Sequence, residues 1–242
     1  MATDGRYVAN EAKFKDYTYR ALGVRFLDRT AFENFYTFLS GPSKKDEFLR
    51  VASFYLFLVK EGDWHLSFKD NAPDYLTNSF RVVGIFALIE SLSDEQHQDF
   101  YEWLGTQDPK TLFPISDPNA LLRLNEEYKA TYGSIRRCVA FFSRLPQDRQ
   151  RALQDSIRVN GNPLVSIKQV AEFLYNIRSK FVHEAQLVLE LGDDSHLSMK
   201  KGKVVEILLP INALLEAFEE GVLAYFGYPP NETGPLPAKQ IS

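Results

Sequence analysis

The amino-acid sequence predicts a mainly α protein. Three observations carry that expectation: apolar residues recur at helical spacing along most of the chain, helix-start signals precede several of those runs, and β-type composition is confined to a region near residues 186–209. With 242 residues the chain is long enough for one large domain or two small ones, and for a sizeable buried core.

Taken in order, helical spacing predicts helices over 29–39 (RTAFENFYTFL), 44–60, 74–92, 94–104, 117–144, 147–158, 167–184 and 211–226. The helix over 74–92 is the most hydrophobic, apolar on nearly every side between Val82 and Ile89, and is expected at the centre of a bundle. Near its end Glu90 lies one turn beyond Phe86 and Ala87, on or near a buried stripe where a carboxylate needs a partner. Ser93 followed by Gln96 resembles a capping box ahead of 94–104. Asp117-Pro118 reads as an N-cap with proline at the first helical position, and Ser166 as the cap of 167–184. QLVLEL (186–191) and KGKVVEILLP (201–210) have β-type composition around a turn-rich GDDSHLSMKKGK, consistent with one short hairpin or a loop excursion, in which the basic 200–203 run either touches phosphate or, as favoured, forms a hairpin tip. The expected organisation is accessory helices in 1–70, a helical domain over 74–228, and a flexible Pro- and Gly-rich tail over 229–242.

Composition narrows the class of protein. One cysteine, Cys138, excludes an internal disulfide framework, and MATDGRYVANEAKFK resembles no secretory signal, so a cytoplasmic location is expected. The longest apolar runs, FYLFLV and VVGIFALI, fall far short of the roughly 20 residues a membrane helix requires, so no membrane association is expected. The net charge of −4 is unevenly distributed: residues 123–183 carry eleven Lys or Arg against five Asp or Glu, a local +6 that leaves −10 elsewhere. A phosphate-binding surface on an acidic protein is compatible with that asymmetry, because phosphates respond to nearby charge. Solvated basic helix faces would produce the same count.

The helix over 167–184 poses the sharpest question, in its stretch AEFLYNIRSKFVHEAQ. At about 100° per residue, Val170, Phe173, Leu174, Ile177 and Phe181 form one apolar arc, with Asn176, Ser179, Lys180 and His183 on the opposite side. Arg178 belongs to neither group. It falls between the core arc and a second apolar edge made by Tyr175 and Val182, where a guanidinium needs a carboxylate, a phosphate or a partner subunit. Arg178 and His183 stand roughly 140° apart on an ideal helix. They converge if the helix unwinds near His183, or if two subunits meet across the Tyr175/Val182 edge about a two-fold axis; the second arrangement is the more economical.

YNIRSKFVH resembles the Arg-x-x-x-x-His signature of the HEPN superfamily, and LYNIRSKFVHEA is similar to its Apea-like branch. A weaker resemblance extends to FALIESL, to the basic helices before the motif and to NALLEAFEEGVLAYF, so it covers roughly 74–228. The resemblance implies a helical bundle of HEPN type, a homodimer, and a metal-independent endoribonuclease of toxin–antitoxin, phage-defence or stress systems. It implies catalytic roles for Arg178 and His183, with Ser179 in the polar slot after the arginine and Glu90 as the supporting acid on the preceding core helix. Lys180, Asn176, Arg136 and Arg137 are further candidate RNA contacts. RNA and a second copy of the chain are the expected partners, with an antitoxin or regulatory protein as a third.

The residue types suit the chemistry. Cleaving RNA without a metal needs a proton taken from the ribose 2′-hydroxyl and a cation beside the pentacoordinate phosphate. Histidine exchanges protons near neutral pH, and arginine holds two phosphate oxygens at once. With 14 Arg and 4 His in the chain, chance alone supplies about 0.2 such pairs at one spacing, so the helical context carries the reading. His65, His97 and His196 lack ligand spacing, HEA at 183–185 lacks the second histidine of a zinc-protease motif, and no phosphate-binding glycine loop is present; no metal or cofactor is expected. The competing readings are a HEPN module that binds RNA, a nucleotide or a partner protein without catalysis, and a helical scaffold unrelated to HEPN, which would place His183 under core side chains. Residue by residue, the plainer alternatives are a structural salt bridge from Arg178 to Glu90, compatible with catalysis, and a surface His183 at a helix end.

Overall fold

The computed structural model describes residues 8–63, 72–92, 100–107, 117–189, 191–192, 195–200 and 202–229. They form a mainly helical fold with a small antiparallel sheet. In chain order the helices are α1 (Ala12–Leu22), α2 (Arg29–Phe38), α3 (Gly41–Tyr55, prolonged by a π-helical turn Leu56–Lys60), α4 (Ala72–Ser91), α5 (Phe100–Gly105), α6 (Pro118–Tyr132), α7 (Ser134–Phe142), α8 (Gln147–Asp155), α9 (Ile167–Glu184) and α10 (Ile211–Tyr225). The strands are β1 (Ile157–Val159), β2 (Asn162–Pro163), β3 (His196–Lys200) and β4 (Lys203–Ile207), in the order β2-β1-β4-β3.

Local chemistry explains the starts and stops. Asp117 accepts from the Asn119 amide at 2.9 Å ahead of Pro118, and Ser166 accepts from the Gln169 amide at 3.3 Å, so both caps read from the sequence are present. Gln169 reinforces the second by accepting the Val165 amide at 3.1 Å. The Ser93/Gln96 box lies outside the described residues.

Several expectations are corrected. The helix over 117–144 divides at Gly133, which turns to ψ 137° with its α-carbon so close to the chain that a Cβ would lie 2.4 Å from the Lys129 carbonyl oxygen. The expected helix over 147–158 stops at Asp155, and Ile157–Val159 is a strand instead. Asn160 and Gly161, at φ 51° and 79°, form the tight turn that folds it back onto β2. Residues 186–189 are not a strand: the hairpin pairs 196–200 with 203–207 around Gly202, which places Lys200 and Lys203 at its tip. Helix α1 falls among the accessory helices expected in 1–70, although its apolar spacing did not mark its bounds.

α4 is central, as its all-round hydrophobicity predicts. Val82, Ile85, Phe86 and Ile89 are buried, and the helix packs against α3, α7, α9 and α10. The boundary expected between the accessory helices of 1–70 and the domain over 74–228 falls partly outside the described residues, which leave out 64–71. The buried cluster nevertheless runs without interruption from Leu22, Phe32 and Phe48 through Phe86, Leu174 and Phe218. The expected tail over 229–242 also lies outside the described residues beyond 229. Among the described residues no helix is long and apolar enough to cross a membrane.

A buried carboxylate ties the N-terminal helices to α10. Glu219, 4 % exposed, accepts from Arg25 Nε, Lys60 Nζ and Tyr55 Oη, each at 2.8 Å. Its neighbour Glu220 binds Arg149 of α8 through two donors, at 2.6 and 2.9 Å. Burial, followed by the adjacent Glu219 charge, pushes the Tyr55 hydroxyl well above the usual phenol range.

Candidate functional site

α9 presents the faces its spacing predicts. Val170, Leu174 and Ile177 are buried, Phe173 and Phe181 pack against the core at its edge, and Asn176 and His183 are exposed. Ser179 and Lys180 are half-buried. Tyr175 meets the Phe86 ring edge-on at 5.8 Å between centroids, while Phe181 meets Phe80 at 5.2 Å, so α9 lies along α4.

That packing brings Arg178 to Glu90. Their closest atoms, Nη2 and Oε1, are 3.8 Å apart, close enough for charge attraction but too long for a hydrogen bond. The side chains are only 17 % and 24 % exposed, and the Arg178 guanidinium also lies over the Tyr175 ring at 5.4 Å. Arg178 Nε and Glu90 Oε1 are both buried without a hydrogen-bond partner among the described residues.

A third charged group completes the cluster. Arg137 of α7 donates from Nη1 to the Glu90 carbonyl oxygen at 3.2 Å, closing one of the carbonyls that a helix end leaves open. Its Nε and Nη2 are buried without a partner among the described residues. Cys138, the next residue, is buried beneath the cluster, and burial together with the Glu90 charge pushes its thiol up to about 12. Arg136, one position earlier, points about 100° away and is exposed.

His183 does not join the cluster within one chain. α9 remains helical to Glu184 and closes where Ala185 turns left-handed at φ 54° and the Gln186 amide reaches back to the Lys180 carbonyl at 3.4 Å. The helix does not unwind at His183, which removes one of the two ways to make Arg178 and His183 converge. The five-residue step therefore separates them by about 7.5 Å along the axis as well as in angle.

Sequence reasoning listed Arg137 only as an RNA contact and missed its inward position. The signal was available: Arg137 stands four residues before Phe141 and so shares its helix face, whereas Arg136 does not. Among the described residues no three His, Cys, Asp or Glu side chains are grouped so as to hold a metal ion. Comparison of the chain with protein-family models, with curated proteins and with solved structures finds no match.

Proposed function

We propose that the chain is a metal-independent endoribonuclease of HEPN type, acting as a homodimer in a toxin, phage-defence or stress role. The observation that carries the reading is the half-made Arg178–Glu90 pair: a recessed guanidinium with a spare donor, on the same helix as an exposed imidazole. A purely structural salt bridge would be expected to close to hydrogen-bond distance and leave no buried donor unused.

In this reading two α9 helices face each other across the Tyr175/Val182 edge. Val182 is 46 % exposed, and Phe80, whose ring meets the adjacent Phe181, is 37 % exposed, apolar surface suited to a second copy of the same face. Neutral His183 takes the 2′-hydroxyl proton as that oxygen attacks phosphorus. Arg178 stabilises the charge on the phosphorane, the bond to the 5′-oxygen breaks, and the partner subunit's His183, protonated, donates to the leaving oxygen. Products carry a 2′,3′-cyclic phosphate and a 5′-hydroxyl. Ser179 borders the arginine, and Asn176 and Lys180 line the approach to the exposed face of α9.

The test is cleavage of single-stranded RNA in EDTA. Wild type is expected to cleave, and His183→Ala to lower the rate by about a hundredfold or more. Equal inertness of the two proteins, with RNA binding intact, would establish the non-catalytic binding module instead.

A further inference from the structure

The cluster between α4, α7 and α9 holds more donors than its own acceptors use. Arg137 Nε, Arg137 Nη2 and Arg178 Nε are buried without hydrogen-bond partners among the described residues, and the single unused acceptor beside them is Glu90 Oε1. Arg178 faces the Glu90 carboxylate and Arg137 the carbonyl oxygen of the same residue, so two guanidiniums and one carboxylate meet at Glu90, together +1. Capping the end of α4 uses one Arg137 donor and explains why an arginine stands there, but gives no role to Nε and Nη2, which have no hydrogen-bond partner among the described residues. Desolvated guanidinium donors are costly unless something binds them. What fits is an anion with several acceptor oxygens in tetrahedral array, since two forks approaching from different helices address more than one oxygen each.

We infer that Arg137 and Arg178 form a two-arginine clamp for one backbone phosphate of bound single-stranded RNA, with Glu90 occupying the clamp until the phosphate displaces it. The inference rests on the RNA-directed reading above but assigns to Arg137 direct contact with phosphate, equal in kind to that of Arg178. Glu90 is a gate: its carboxylate holds Arg178 loosely, at 3.8 Å, and repels the incoming anion.

The probe is a short 2′-O-methyl oligoribonucleotide, which cannot be cleaved because the attacking hydroxyl is blocked, titrated against full-length protein at several salt concentrations. Arg137→Gln is expected to weaken binding on the order of tenfold or more and to lower the log–log salt slope by about 1. Arg137→Lys, which retains a charge and a donor for the Glu90 carbonyl but no fork, should fall between the two. Glu90→Gln should bind more tightly than wild type, a change that a merely structural Glu90 would not produce. Affinity and salt slope unchanged in Arg137→Gln overturn the clamp; if that variant does not fold, unchanged affinity in Arg137→Lys and Glu90→Gln overturns it equally. Inorganic phosphate binding as tightly as the oligonucleotide, with the same dependence on Arg137, would overturn RNA as the occupant. The nuclease reading fails separately: a wild type that cleaves no natural RNA, yet loses probe affinity on Arg137→Gln, rejects catalysis and supports the clamp.

Discussion

At Cys138 the surroundings set the chemistry of the residue. The thiol is buried against α4 and its proton is held by desolvation first and by the Glu90 charge second. Because the folded value is raised from 9.0 to about 12, the native state favours the neutral thiol, so this contribution to stability is intact below pH 9 and is lost as the pH rises from about 9 toward about 12. Over that window wild type should lose up to about 1.4 kcal/mol per pH unit relative to Cys138→Ala, read as the difference between urea melts at pH 8 and pH 10.5. Equal pH slopes for the two proteins would refute the assignment. The same burial predicts that thiol reagents at pH 8 modify Cys138 only after unfolding. The residue was legible in the sequence as a lone cysteine excluding disulfides, but its neighbours were not, because Glu90 and Arg178 reach it from helices 48 and 40 positions away.

Among the elements, α7 and α10 press tightly together at Gly221. A Cβ at that position would lie 2.4 Å from the Phe141 ring, which itself stacks on Phe218 at 5.7 Å. Gly221→Ala is therefore expected to destabilise by about 1–3 kcal/mol in equilibrium unfolding, since the ring must shift within a packed core. Phe141→Leu in the same chain should recover part of that loss as a non-additive term in a double-mutant cycle, because the narrower side chain makes room. Strict additivity would mean that the two positions do not press on each other. The boundaries of α9, α2 and α10 were legible to within a residue, since caps and apolar arcs are local signals. The division at Gly133 and the turn at Asn160-Gly161 were not recognised, although both carry glycine: continuous helical periodicity on either side masked the first, and the short strands flanking the second offered too few residues for alternation to register.

For the whole molecule, the proposed dimer supplies what one chain lacks. α9 is regular through His183, so Arg178 and His183 face different directions, and the proposed mechanism therefore calls for a second copy. Val182→Lys places a charge in the middle of the exposed Tyr175/Val182 edge without touching the buried arc of α9. It should yield a monomer by sedimentation, leave the thermal melt nearly unchanged, and lower RNA cleavage by about a hundredfold or more. A wild-type monomer that cleaves at full rate would refute the two-fold arrangement.

The sequence alone determined the helical class, the central position of α4, the caps of α6 and α9, and the need of Arg178 for a partner, all of which follow from periodicity and from the cost of burying charge. The sequence also offered Glu90 as that partner; only tertiary structure decided that the pair stops at 3.8 Å, that Arg137 and not Arg136 turns inward beside it, and that Glu219 anchors Arg25, Lys60 and Tyr55. Those pairings join residues 47 to 194 positions apart, and a separation of that size leaves no periodic trace in the chain: which helices become neighbours depends on how the whole core closes.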